Sequence, residues 1–229
     1  MSESNINRGT ALDATRAIGR ISAVAVMMIL ALGIAVGSVT RAGADTGDPM
    51  SVVKGLINPA LAVLQNNSLT LAQKGSQMRQ LVSNSFDYTE MSRSALGYHW
   101  KTLTPDQQAS FTGLFTSFIQ DSYLNKIQDY KGQTVTFVKW SMDYPGYAQV
   151  KTTINQPNGG QPIPLNYMLK LENGNWKIYD VTVDAISIIA NYRNQFNRVI
   201  NDKGFPTLMD ELRAKRNQLA NSLGESSNN

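Results

Sequence analysis

The sequence predicts a mixed α+β domain, a four-stranded antiparallel meander packed against a layer of helices. Three observations predict it. From Ile163, the apolar residues Ile163, Leu165, Tyr167, Leu169 and Leu171 fall at every second position, the period of a strand with one buried face. Asn173 and Gly174 follow; both tolerate positive φ and favour a tight hairpin, after which Trp176, Ile178, Val181 and Val183 continue a second strand. From Ile186 the period lengthens to that of a helix, and Ile186, Ile189, Ala190, Arg193, Phe196, Asn197 and Ile200 share a face. A hairpin that runs straight into an amphipathic helix predicts a helix folded back over the sheet it leaves. Asp180 falls where the apolar phase changes, which predicts a bulge or strand end there.

The earlier elements follow in order. Asp48 and Pro49 supply an N-cap and a first helical residue, and Val53, Leu56, Ile57, Ala60, Leu61 and Leu64 form one stripe, with a kink expected at Pro59. A second helix spans about residues 70–85, with Leu71, Met78, Leu81 and Val82 inside. Asp87 caps a short helix that ends near Gly97. Thr104, Pro105 and Gln107 are a strong start signal, and Phe111, Leu114, Phe115, Phe118, Ser122 and Tyr123 run along the inner face that follows. Residues 133–143 read as a strand, with Val135 and Phe137 on one side and Val138 and Trp140 near the other. After a turn at Tyr144, Pro145, Gly146 and Tyr147, alternation of Ala148, Val150, Thr152 and Ile154 marks the next strand. Short turns between all four strands predict the meander. Thr207 caps a last helix with Leu208, Leu212 and Leu219, and a polar, disordered tail is expected over residues 224–229.

Composition narrows the compartment and the chemistry. Arg16 and Arg20 precede an apolar run over residues 21–39, and Ala42, Gly43 and Ala44 place small residues where a signal peptidase reads. A Sec-type signal peptide over residues 1–44, cut after Ala44, is expected, which leaves a single exported domain over residues 45–223. The competing reading is an uncleaved membrane anchor. The removed segment carries four arginines and two acids, so the net charge falls from +4 to +2. No basic patch with interleaved aromatics occurs, which argues against nucleic acid. The chain has no cysteine, so disulfides, thiolate metal sites and a cysteine nucleophile are excluded. Its one histidine, His99, leaves histidine-rich metal sites and most serine–histidine relays short of parts.

Two segments carry a resemblance. One runs from Phe86, Asp87 and Tyr88 through Leu96, Gly97, Tyr98, His99 and Trp100 to Thr104, Pro105, Asp106, Gln107, Phe111 and Phe115. The other runs from Tyr167 through Trp176, Lys177, Ile178, Tyr179, Asp180 and Val181 to Ser187, Tyr192, Arg193, Asn194, Gln195 and Phe196. In order and spacing the chain resembles the MlaC / Ttg2D family of periplasmic phospholipid-binding proteins, the toluene-tolerance proteins, from about Pro49 to Leu219. It departs at Asp184 and Ala185, where an acidic residue followed by glycine is expected. A related branch, tied to hopanoid biosynthesis, is not separable from this sequence.

The resemblance implies a sheet and helices around a deep apolar cavity for acyl chains. It implies no enzymatic reaction, no cofactor beyond bound phospholipid as cargo, and two partners. These are an inner-membrane ABC transporter complex with an MCE-domain subunit and an outer-membrane lipoprotein–porin complex, a traffic that maintains outer-membrane lipid asymmetry. A diacyl lipid has roughly 30 methylenes at about 0.8 kcal/mol each, so bare transfer through water costs on the order of 20 kcal/mol. A dry cavity nearly cancels that term. The expected wall is Leu96, Trp100, Phe115, Phe118, Val150, Tyr167, Leu169, Ile178, Val181, Ile186, Ile189 and Tyr192; taken singly each reads more readily as plain core, and the expectation rests on the set. Arg193 stands either near the entrance, against a lipid phosphate, or in an ion pair with Asp180 or Asp184. Two rival readings remain. One is a small NTF2-like enzyme with Asp180 and Tyr167 or Tyr192 in a pocket. The other is an envelope adaptor, whose signature would be a packed core without a cavity together with a large exposed apolar patch.

Overall fold

The computed structural model describes residues 47–124 and 126–222; the expected signal peptide and tail lie outside them. Helix α1 (Pro49–Gln65) starts as the sequence requires, with Asp48 Oδ1 accepting from the Met50 N–H and Pro49 at the first position. Val53, Leu56, Ile57, Ala60 and Leu64 are buried along one stripe, and the helix runs on through Pro59. Helix α2 (Leu71–Val82) opens on a reciprocal capping box between Thr70 and Gln73 and buries Met78, Leu81 and Val82. Leu71, expected inside, is exposed at its start. Helix α3 (Tyr88–Leu96) is capped by Asp87 and ends at Gly97, whose φ of 55° only glycine takes without strain. A Cβ at Gly97 would also stand 3.3 Å from Arg193 Cδ. Helix α4 (Pro105–Leu124) starts on the predicted Thr104–Gln107 exchange and buries Phe111, Phe115, Phe118, Ile119 and Tyr123.

The sheet is a meander of five strands rather than the expected four, in the order β1 (Thr134–Tyr144), β2 (Tyr147–Asn155), β3 (Ile163–Glu172), β4 (Asn175–Val183), β5 (Ile186–Ser187). The fifth strand exists because Asp184 and Ala185, with φ of 48° and 65°, reverse the chain before any helix begins. Ile186 then pairs with Val183 and Ser187 with Thr182. The phase change at Asp180 is a bulge: Met168 faces Asp180 and Leu169 faces Ile178, which leaves Tyr179 as the extra residue. A second bulge, at Val138, corrects the reading of β1. It returns Trp140 and Met142 to the face of Val135 and Phe137, opposite Val150 and Ala148.

Helix α5 (Ile188–Lys203) folds back from β5, and α6 (Phe205–Ser222) packs on α4 and α5. Alternate residues of β2, β3 and β4 form the buried face, including Ala148, Val150, Ile154, Leu165, Tyr167, Leu169, Ile178, Val181 and Val183. The helices cover this face. Asp121 of α4, nearly inaccessible, binds Arg79 of α2 at 2.8 Å and Arg216 of α6 at 3.1 Å, which joins three helices through one carboxylate. Neither arginine is fully desolvated, so the triad meets less of the burial penalty that an enclosed ion pair carries.

Candidate functional site

The predicted wall residues come together where the sheet meets α3, α4 and α5. Val150, Tyr167, Leu169, Ile178 and Val181 rise from the sheet, and Leu96, Phe115, Phe118, Ile189 and Tyr192 descend from the helices; all ten are buried in one core. The Phe115 and Tyr192 rings meet edge to face at 5.4 Å, as do Phe118 and Tyr192 at 5.7 Å. Trp100 is only partly buried, packed against the edge of this core.

Ile186 does not belong to it. The residue is 47 % exposed. Its expected helical phase fails because α5 begins two residues later, where Ser187 Oγ accepts from the Ala190 N–H at 2.9 Å. Ile186 is therefore a strand residue.

Asp180 secures that helix start. Its Oδ1 accepts from the Val181 N–H at 2.7 Å and the Ile189 N–H at 3.1 Å, and its Oδ2 accepts from Ser187 Oγ at 2.5 Å. Burial pushes its pKa up, partly offset by these three bonds and by the charge of Arg193. With three donors on its two oxygens, Asp180 is placed as a structural carboxylate that ties α5 to β4. Arg193 donates from Nε to the Ser94 carbonyl at 2.5 Å, so it joins α5 to α3 rather than pairing directly with Asp180 or Asp184 through that nitrogen. Burial also pushes the phenols of Tyr123, Tyr167 and Tyr192 up, Tyr192 to about 12, so all three are neutral hydroxyls at neutral pH. The Tyr123 and Tyr192 hydroxyls bond to each other. Around these groups, the side chains of the junction among the described residues are mainly apolar.

Sequence reasoning passed over part of this junction. Phe86, Met91, Ile119, Tyr123 and Ile188 join Asp180, Val181 and Ile189 around one small void. Of the predicted wall, only Val181 and Ile189 touch it. The signal for the others was present but undirected: Phe86 and Tyr123 lie in quoted motifs or on the inner stripe, and Ile119 follows Phe115 by one helical turn. The void holds about 10 Å³, room for about one water molecule. Among the described residues, no deep chamber shows at this junction. The side chains meant to line it pack on one another instead.

A family model described as MlaC protein matches residues 54–214, most of the chain, and the chain belongs to this family. Among curated relatives, the intermembrane phospholipid transport system binding protein MlaC of Haemophilus influenzae is 21 % identical over 187 residues, covering 79 % of this chain and 87 % of the relative. Toluene tolerance protein ttg2D of Pseudomonas putida is 25 % identical over 153 residues, covering 65 % of this chain and 71 % of the relative. Among solved structures, the phospholipid-binding protein from Ralstonia solanacearum, in complex with a phospholipid, aligns with a TM-score of 0.67 at 26 % identity. The alignment covers 76 % of this chain and 99 % of that one.

Proposed function

We propose that this chain is a phospholipid carrier of the periplasm, exported by a signal peptide cut after Ala44, whose domain spans residues 45–223 and catalyses no reaction. It takes lipid from or to an inner-membrane ABC transporter complex with an MCE-domain subunit, exchanges it with an outer-membrane lipoprotein–porin complex, and so maintains outer-membrane lipid asymmetry. The observation that carries the reading is the likeness to the Ralstonia complex over 99 % of that protein, with a continuous apolar interior at the sheet–helix junction here. The closed interior adds a requirement. Sites for drug-sized ligands, smaller than a diacyl lipid, already run to about 300–1,000 Å³, against about 10 Å³ at this junction. Cargo therefore enters only when α3, α4 and α5 part from the sheet, and each acyl chain then replaces the side-chain contacts it breaks.

Protein purified without detergent or denaturant, extracted and examined by mass spectrometry, is expected to yield stoichiometric phospholipid. A hopanoid in its place would keep the carrier and change the cargo. Tryptophan at Val150 or Leu169 is expected to lower occupancy. Both sites are closely packed, so each substitution also costs about 1–3 kcal/mol, and unfolding midpoints need to be measured alongside. Unchanged occupancy in folded Val150→Trp and Leu169→Trp protein removes these residues from the wall.

A second reading has its own support. A closed core and an exposed apolar hairpin on β1 and β2 are the signature of an interaction protein without cargo. Native protein free of any extractable lipid would favour that reading over the carrier.

A further inference from the structure

Eight large apolar side chains stand exposed among the described residues, and five of them, Val138, Trp140, Met142, Tyr144 and Tyr147, belong to the β1–β2 hairpin. Scattered exposed apolar residues are ordinary, whereas a concentrated patch marks an interaction surface. Trp140 and Met142 extend the buried face of β2 outward, beyond the cover of the helices. Tyr144 and Tyr147 flank the turn, where a cleft of about 440 Å³ is lined by Tyr144, Pro145, Tyr147, Met168 and Tyr179 with Asp143 and Ala148.

Three features identify the partner. First, β1 is an open edge among the described residues, while β4 is covered by the backbone of Ser85–Asp87 at Ile178 and by β5 at Val183. Second, the open edge is unsuited to adding a strand: bulges at Val138 and Asp143 interrupt its ladder, and Lys139 projects from it. Third, Lys139 and Lys151 are direct cross-strand neighbours, a like-charge pairing that is unfavourable by itself, and no ion pair engages either among the described residues. The hairpin's one carboxylate, Asp143, lies near the turn, with Ser141 Oγ at 3.5 Å. Paired lysines call for an anion. Tryptophan and methionine on the other face of the same hairpin, with tyrosines at its turn, call for a partner both apolar and wet, which describes the interface of a bilayer.

We propose that the β1–β2 hairpin docks edge-on against an anionic phospholipid bilayer, with Trp140, Met142 and Tyr144 in the interfacial layer and Lys139 and Lys151 at headgroup phosphates. The long lysine side chains reach the headgroups from the far face of the strands. The proposal goes beyond the carrier reading, because it names a surface that meets a membrane whatever the interior holds.

Sedimentation of the whole protein with vesicles tests it. Binding is expected to mixed phosphatidylglycerol–phosphatidylcholine vesicles, weakening as salt rises, and to be much poorer with phosphatidylcholine alone. Lys139→Ala and Lys151→Ala are each expected to weaken binding about fivefold. The triple variant Trp140→Ser, Met142→Ser, Tyr144→Ser is expected to weaken it by about tenfold or more. Leu71→Ser, at an exposed apolar residue elsewhere, should bind as the wild type. If the triple variant does not fold, Trp140→Ser alone and the salt titration give the same decision. Absence of vesicle binding at low salt, or hairpin variants equal to wild type, overturns the proposal. So does a hairpin that captures a partner protein while the wild type ignores vesicles. Extractable lipid with no vesicle binding removes the docking surface and spares the carrier; vesicle binding with no extractable lipid does the reverse.

Discussion

Trp140 and Val150 face each other across one pair of strands, yet Val150 is fully buried and Trp140 is 40 % exposed. The same contrast holds one pair further on, between exposed Met142 and buried Ala148. Strand period and side-chain character do not separate these partners. Helical cover does. Helix α1 lies against β1 and β2 and reaches Phe137, with Lys54 Nζ 5.7 Å from the centre of its ring, but the cover does not extend over Trp140 and Met142. One apolar sheet face thus becomes two regions, a sealed junction under α3, α4 and α5 and an open hairpin. The first holds the fold, and on the proposed function its opening is what cargo requires. The second costs little to alter and is free to meet a partner.

The largest effect that would break this comparison is a matched pair of truncations. Phe115→Ala, in the sealed region, is expected to destabilise the protein by about 3–5 kcal/mol. Trp140→Ala is expected to cost no more than about 1 kcal/mol in urea denaturation. Equal costs would mean that the hairpin is part of the core after all.

Two carboxylates sharpen the contrast through pH. Burial holds the pKa of Asp180 above its ordinary value, so its protonated form favours the folded state. That contribution is fully present below the unfolded pKa and is lost as pH rises through the folded one. Burial also pushes Glu90 upward, but the hydrogen bond from Arg93, the charges of Arg93 and Lys170 and a bond from Ser94 together outweigh it and leave its pKa lowered. Its contribution is present above the unfolded pKa and is lost as pH falls through the folded one. Between about pH 7 and about pH 4, unfolding free energies relative to Asp180→Asn are therefore expected to shift in favour of the wild type. Those relative to Glu90→Gln are expected to shift toward the variant. Shifts of the same sign would show that the carboxylate in the sealed junction is not desolvated.

The smallest expected effect is at the turn into β5. Ala185 sits at φ 65°, where a Cβ is disfavoured and glycine is not. Ala185→Gly should stabilise the protein by about 1 kcal/mol, a rise of about 2–4 °C in Tm by calorimetry. A fall in Tm would show that the methyl group has contacts that outweigh the backbone strain.

Much of this was legible along the chain. The caps at Asp48, Asp87 and Thr104 act over two or three residues, so their hydroxyls and carboxylates announce helix starts without reference to the rest of the fold. The bulge at Asp180 showed as a slip in alternation, because a period of two registers a single inserted residue. The bulge at Val138 left no such mark, since Val138 and Trp140 are both apolar and either phase reads as a strand. Ile186 misled for a related reason: it is in phase with α5 but lies ahead of the capping serine that starts it.

Local spacing alone thus determined four of the five strands and most helix starts, because hydrophobic period and capping chemistry act over a few residues. Tertiary structure alone decided that the junction closes to a void of about 10 Å³ and that Trp140 and Met142 stay bare. It also decided that Asp121 gathers Arg79 and Arg216 from two other helices. Volume, cover and long-range charge pairing depend on how separate elements settle against one another, and no stretch of sequence read by itself contains that distance.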